Sequence, residues 1–236
     1  AKIEVTSFTS PKAIPMLRDA EEVMGRIRRA PGVEYTVLVP NVRGAERAME
    51  SRADELNLVM SVSDTHNRAN LRMTREASFA ALSEVVRAVD GRTPVNVSLS
   101  CSFGCPMEGE VPADEVMAWC GRLLETMGAH GITLCDTTGM AWPGQVHALT
   151  TAFRARWPQT ELTLHFHNTR GMGLANVLAA LDAGADRFDA SFGGIGGCPY
   201  APGASGNVST EEVAHALELM GYDTGVDVPR LLAAVA

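Results

Sequence analysis

Short runs rich in Val, Ile, Leu and Thr alternate along the chain with longer segments whose apolar positions recur three and four residues apart. The short runs occupy residues 3–8, 36–39, 55–62, 95–101, 132–135, 162–166 and 187–192. Each has the length and composition of a buried parallel strand. The segments 20–29, 43–52, 75–89, 112–127, 143–157 and 173–183 carry the helical spacing. Pro112 and Pro143 stand where a first-turn proline is tolerated, and Ser209 is placed to cap a further helix over 210–220. Gly91, Gly128, Gly131 and Gly184 fall where such helices end.

Strand and helix in strict alternation specify an α/β protein with a parallel sheet. No linker, low-complexity stretch or charge block divides the chain, so residues 1–236 are expected to form one domain. Seven strands suit either an open doubly wound sheet or a TIM (β/α)8 barrel short of one strand. An open dinucleotide-binding sheet carries a glycine-rich turn after its first strand. Here Thr9-Ser10-Pro11-Lys12 follows instead. The barrel, N-terminally truncated to about seven strands, is the expected fold.

Composition narrows the function classes. A length of 236 residues suits one large core, and barrels of this class run to about 250 residues. A net charge of −8 argues against nucleic acid, whose phosphates demand a basic face. No apolar run reaches the ~18 residues of a membrane helix. Ala1-Lys2-Ile3-Glu4 opens directly into a strand-like pattern, unlike a signal peptide, and the lack of a starting Met suggests a chain processed or cut from a longer one. Five cysteines, an odd number, fit free thiols in a reducing compartment, and a cytoplasmic location is expected. Cys101 and Cys105 are spaced like half of a zinc site, but no second closely spaced Cys/His pair completes it.

In a parallel α/β barrel the chemistry sits at the C-terminal ends of strands. At those ends stand Glu4 and Ser7, Pro40-Asn41, Ser63-Asp64, Ser100-Cys101, Asp136-Thr137, His165 and His167, and the segment 193–207. In His165-Phe166-His167 the two imidazoles lie two residues apart on a strand and point the same way, half of a divalent-metal site. The competing reading is a pair of hydrogen-bonded core histidines. Six glycines between 193 and 207 exclude a helix or central strand and suggest a functional loop or lid. Cys198, between Gly197 and Pro199, is a thiol able to reach a substrate, and Asn207 at the loop's end offers an amide oxygen. A long turn with an incidental cysteine is the plainer alternative.

Asp136 is equally well read as a catalytic acid and as a helix cap or Asx-turn. Glu4, inside an apolar strand, must face a polar interior or a partner, since burying a bare carboxylate is costly. The 11 methionines read as adaptable core filler, and Arg26, Arg28 and Arg29 as a solvated helix face. His66, His130, His147 and His215 occur singly and are given no role.

Taken in order, several segments resemble the 3-hydroxy-3-methylglutaryl-CoA lyase family, a branch of the metal-dependent lyase and synthase barrels. Glu4-Val5-Thr6-Ser7-Phe8 through Ser10-Pro11-Lys12 is similar to the family's second-strand motif, and Cys101-Ser102-Phe103-Gly104-Cys105-Pro106 to its fifth. Gly131 to Gly139, with Asp136-Thr137, resembles the sixth, and His165-Phe166-His167 the seventh. Gly196-Gly197-Cys198-Pro199-Tyr200-Ala201 with Gly203-Ala204-Ser205-Gly206-Asn207 resembles the signature loop.

The resemblance implies that His165, His167 and Asn207 bind Mg²⁺ or Mn²⁺. It further implies that Cys198 is the catalytic loop thiol, that Glu4, Asp136 and His165 take part in catalysis, and that Ser7, Gly196 and Gly197 contact an acyl-CoA substrate. The implied reaction is retro-aldol cleavage of 3-hydroxy-3-methylglutaryl-CoA to acetoacetate and acetyl-CoA. The family's first strand carries an Arg-Asp pair, the Asp a metal ligand, and this sequence is expected to begin after it, roughly one βα unit of 30 residues short. On that reading the chain alone is expected to be inactive or nearly so, and its open strand edges invite a homo-oligomer, a dimer. Asn168 and Arg170 stand where the family has Asp and an aromatic residue, and Ser63-Asp64-Thr65-His66 also departs from its pattern.

The alternatives are a related lyase or aldol-type synthase acting on another hydroxyacyl-CoA or 2-oxo acid, and a degenerate barrel without activity. A carboxyltransferase would need an active-site lysine, and the only lysines are Lys2 and Lys12.

Overall fold

The computed structural model describes residues 1–12, 14–197 and 206–235. Seven parallel strands are hydrogen-bonded in chain order, β1 (Lys2–Ser7), β2 (Glu34–Leu38), β3 (Glu55–Ser61), β4 (Val95–Ser100), β5 (Gly131–Asp136), β6 (Glu161–Phe166) and β7 (Phe188–Asp189). Sequential order is the topology of a (β/α)8 barrel; a doubly wound sheet reverses its order part-way. The fold is of the TIM-barrel class with seven strands, as the alternating pattern implies.

The chain divides into two compact units. The first comprises Ala1–Leu99 and Ala118–Ile132. It carries β1 to β4 with α1 (Ala20–Arg26), α2 (Val42–Glu50), α3 (Asp64–Leu71) and α4 (Arg75–Val89). Val37, Leu56, Leu58, Met60 and Val97 are fully buried on the strands, and Ala45, Ala48, Leu82, Val85 and Val89 are the buried faces of α2 and α4. Helix α4 begins where Thr74 accepts a hydrogen bond from the Ala77 N–H at 3.0 Å, and ends at Asp90 in the left-handed region. Helix α5 (Ala113–Gly121) continues as a π-helical turn, Arg122–Met127. There Arg122 clamps both oxygens of Glu76, at 2.7 and 2.6 Å, and lies over the rings of Phe79 and Trp119.

Helix α3 was not expected from the sequence. It lacks an apolar stripe and is fastened by polar groups. Ser63 caps it, accepting from the His66 N–H at 3.0 Å. Buried Asn67 accepts from the Ser61 N–H and donates to the Met73 carbonyl and Ser78 hydroxyl, at 2.8–2.9 Å. A fully bonded interior amide replaces the hydrophobic contact that periodicity looks for.

The second unit comprises Ser100–Met117 and Thr133–Ala236, with β5, β6, β7, α6 (Pro143–Arg156), α7 (Gly173–Asp182), α8 (Thr210–Leu219) and α9 (Val228–Val235). β6 buries alternate residues Leu162, Leu164 and Phe166, so His165 projects from the other face. Phe166 stacks against Phe103 with ring centroids 5.8 Å apart. β7 is shorter than the expected run 187–192. Ser191 leaves the ladder to bridge Ser209, and Phe192–Gly194 forms a 3-10 turn. Helix α9 also lies beyond the elements expected. Among the described residues no helix is long and apolar enough to cross a membrane.

Candidate active site

In the first unit, β1 carries a bulge. Its register runs Glu4↔Thr36, then Thr6↔Val37 and Ser7↔Leu38, so Val5 is an extra residue. Partners in a ladder share a face, and so do residues two apart on a regular strand. Thr36 and Leu38 therefore place Glu4 and Ser7 on the same face of the sheet, although three residues separate them. Asn57 on β3 pairs with Leu38 and joins that face. Its Nδ2 donates to Glu4 Oε2 at 2.9 Å, while its Oδ1 accepts from Asn96 Nδ2 and Ser98 Oγ, both at 3.0 Å. Two donors on Oδ1 fix the amide's orientation and commit Nδ2 to the carboxylate. Asn57 was not singled out from the sequence.

Other strand-end residues of this unit are structural. Asn41 caps α2, accepting from the Gly44 N–H at 3.0 Å. Asp64 accepts from the Arg75 N–H at 2.9 Å and pairs with Arg68 at 2.6 Å, and these hold its carboxyl below the usual range. Lys2 is 2.5 Å from buried Glu55, and Lys12 is exposed.

The second unit gathers most of the sequence-derived site. Asp136 ends β5, is 1% exposed, and accepts at Oδ1 from the Met140 and Ala141 N–H groups at 2.7 and 3.1 Å. Its Oδ2 is buried with no hydrogen-bond partner among the described residues. Burial pushes the carboxyl up to about 6, against the pull of those two N–H groups and the charges of His165 and Arg170. Asp136 is neither a cap of α6 nor an Asx-turn, since the N–H groups that donate to it lie four and five residues on; Oδ1 pins that loop and Oδ2 is left to titrate.

The rings of His165 and His167 lie 5.0 Å apart, centroid to centroid, inclined by 60°. His165 Nδ1 meets Asp189 Oδ1 at 2.5 Å. His167 is buried, and its Nδ1 has no partner among the described residues. Burial, with His165 beside it, lowers its pKa to about 4, so it is neutral at pH 7.

Asn207 forms a bridge with His167. The segment is pinned on both sides: the Asn168 N–H donates to the Gly206 carbonyl at 2.8 Å, and the Val208 N–H to that of Phe166 at 3.0 Å. Asn207 Nδ2 donates to the Ile195 carbonyl at 2.9 Å, which leaves Oδ1, buried and without a partner among the described residues, as its open end. Gly196 is needed there, at φ +98°, because a Cβ on it would stand 2.8 Å from that Nδ2. Gly197 has open space beside it. Cys198 lies outside the described residues, as does the loop over 198–205.

Two further groups support this region and were not foreseen. Asp189 is one. Glu211 is the other: its carboxylate accepts from the Gly193 N–H at 2.9 and 3.1 Å and from Ser209 Oγ at 2.6 Å. The departures Asn168 and Arg170 also have local work. Asn168 Oδ1 accepts from the Gly173 N–H at 3.0 Å, and Arg170 donates to the Gly139 carbonyl at 2.6 Å.

The HMGL-like family model matches residues 1–236, the whole chain. The chain belongs to the HMGL-like family. It is 45% identical over 233 residues to the hydroxymethylglutaryl-CoA lyase YngG of Bacillus subtilis, covering 98% of this chain and 78% of that protein. Among solved structures it is similar to an HMG-CoA lyase from A. baumannii in complex with coenzyme A and 3-methylmalate. That match has 50% identity and a TM-score of 0.93, over 99% of this chain and 76% of the other. The B. subtilis HMG-CoA lyase crystal structure matches at 44% identity and a TM-score of 0.94, over 99% of this chain and 78% of that one.

For an HMGL-like chain the question is whether a divalent cation fits. Among the described residues no group of three His, Cys, Asp and Glu side chains could hold one. The donors on offer are the neighbouring imidazoles of His165 and His167 and the amide oxygen of Asn207, whose backbone bridges His167. The orphaned, buried Nδ1 of His167 and Oδ1 of Asn207, with His167 neutral, suit a cation that takes mixed nitrogen and oxygen ligands. Cys101 and Cys105, like Cys120 and Cys135, are buried.

Proposed function

We propose that this chain is a carbon–carbon lyase that cleaves 3-hydroxy-3-methylglutaryl-CoA to acetoacetate and acetyl-CoA. The observation that carries the reading is the match to one family across all 236 residues, with one lyase at 45% identity. The same full-length match supports reading residues 1–236 as a single lyase-type domain. A ligand pair of coenzyme A and a hydroxy-diacid on a 50% identical relative fits a substrate of that kind.

His165, His167 and Asn207 would hold Mg²⁺ or Mn²⁺, and the cation, when bound, supplies a Lewis acid for the substrate's hydroxyl and carbonyl oxygens. Asp136 Oδ2 accepts the proton of the substrate hydroxyl. A carboxyl poised at about 6 is close enough to neutrality to take a proton and to return it. As the carbon–carbon bond breaks, its electron pair passes to the thioester enolate, which the thiol of Cys198 protonates at carbon. Glu4 assists proton transfer, and Ser7, Gly196 and Gly197 contact the acyl-CoA. The odd number of cysteines supports a cytoplasmic setting, and the assembly we propose is a homodimer.

The test is mass-spectrometric detection of products after mixing the chain with Mg²⁺ and 3-hydroxy-3-methylglutaryl-CoA, beside a form preceded by the first βα unit of a relative. Acetoacetate and acetyl-CoA from that longer form support the reading. Neither product, from a folded protein that binds metal, would overturn it in favour of another hydroxyacyl thioester.

A further inference from the structure

His165 and Asp189 are register partners on adjacent parallel strands, β6 and β7, and their side chains meet with Nδ1 2.5 Å from Oδ1. An ionised carboxylate can only accept, so the imidazole must carry its proton on Nδ1. In the neutral ring the lone pair then resides on Nε2. We infer that Asp189 is a positioning residue of this site, locking the tautomer and ring plane of His165 so that Nε2 is the nitrogen presented to a divalent cation. The inference rests on the reading of His165 as a metal ligand.

Three observations converge on it. β7 is only Phe188–Asp189, so Asp189 is its last paired rung, level with His165. The neighbouring acids go to arginines: Asp186 to Arg154 at 3.0 Å and Glu161 to Arg187 at 3.3 Å. Asp189 instead faces an imidazole. Its side chain is half exposed, and a pair in that setting contributes only about 0–1 kcal/mol to folding. Stability therefore gives little reason for so short an approach. Orientation does, because a histidine that binds metal through one nitrogen is steered by the hydrogen bond at the other.

The two rings are also handled differently. Among the described residues the Nδ1 of His167 has no partner, whereas the Nδ1 of His165 is occupied, although the rings are neighbours at 5.0 Å. An outer carboxylate on one ring only would set that ring's plane against its neighbour.

The experiment uses the whole chain, Mn²⁺ alone and no substrate. Free Mn²⁺ is measured by electron paramagnetic resonance for the unaltered chain, Asp189→Ala, Asp189→Asn and Asp189→Glu. Nitrogen–proton correlation spectra of the metal-free chain report the His165 tautomer. Asp189→Ala is expected to weaken Mn²⁺ binding by ~10–100-fold, with Asp189→Glu recovering part of the loss and the tautomer shifting away from Nδ1–H. A folded Asp189→Ala that binds Mn²⁺ within twofold of the unaltered chain overturns the inference. So does an Nε2–H tautomer in the unaltered chain. Should Asp189→Ala fail to fold, the near-isosteric Asp189→Asn carries the same comparison. Absence of Mn²⁺ binding by the unaltered chain would count against the metal reading itself, while the metal-free tautomer still decides whether Asp189 orients the ring.

Discussion

A Cβ placed on Gly206 would stand 2.0 Å from the carbonyl oxygen of Gly196, and Gly206 sits at φ +90°. Both facts demand glycine, since the obstacle is backbone and the conformation is left-handed. Asn207 follows directly, and its own N–H donates to that same Gly196 carbonyl at 3.2 Å. The two ends of the signature loop are thus brought together where an amide oxygen is offered to the site.

Gly206→Ala is therefore expected to destabilise the chain by about 1–3 kcal/mol and to weaken Mn²⁺ binding by displacing Asn207. Gly197→Ala meets open space and should stay within about 0.5 kcal/mol. Urea denaturation with a parallel Mn²⁺ titration measures both. Equal effects of the two substitutions would contradict the close approach.

Asp136 and His167 oppose each other in acid. Folding raises the Asp136 pKa from 3.8 to about 6, so the folded state binds more protons in that window and stability falls as pH rises through it. The His167 pKa is lowered from 6.5 to about 4, so the unfolded state binds more protons and stability is lost as pH falls from 6.5 towards 4. Each shift corresponds to roughly 3 kcal/mol, and the two slopes nearly cancel between pH 4 and 6. Asp136→Asn should remove one of them, leaving a metal-free chain that weakens steeply on acidification. Denaturant midpoints across that range check it, and an unchanged pH profile would refute the assignment.

Asn57→Leu keeps the volume but strips the amide that joins Glu4 to Asn96 and Ser98. Two donors lose their acceptor, and a loss of about 1–3 kcal/mol is expected. In a double-mutant cycle with Glu4→Leu the losses should not add, because both changes break the Asn57–Glu4 hydrogen bond. Additive losses would mean that Asn57 does not hold Glu4.

Mn²⁺ at 100 times its dissociation constant should stabilise the chain by about 2.7 kcal/mol, and a chelator should reverse this. His167→Ala and Asn207→Ala should each abolish the effect, read as a shift in thermal midpoint. Retention of the full shift in either would remove that residue from the ligand set.

Much of this architecture was legible because burial on it is periodic. Helix α4 is found where apolar spacing places it, over Arg75–Val89, and β1 to β6 lie within two residues of their expected positions at either end. The failures share a cause. Helix α3 is held by Asn67 rather than an apolar stripe, and β7 is cut short because Ser191 turns to bridge Ser209. Asn67 acts through polar partners at 61, 73 and 78 and Ser191 through one at 209, and neither leaves an apolar period to read. The site divides the same way. His165, His167, Asp136 and Asn207 are visible as residue types at strand and loop ends. Asp189, Asn57 and Glu211 matter only through what they touch, and become visible once strands are in register.

The extra residue Val5 has a consequence for comparing sequences at β1. It works like a frameshift, reversing the inside–outside count for everything after it. A strict count in twos would assign Ser7 to the face opposite Glu4, yet the two share one. Deleting Val5 would remove the bulge and leave Ser7 two residues after Glu4 on a regular strand, still on the same face. A relative one residue shorter at this strand would therefore present the same pair.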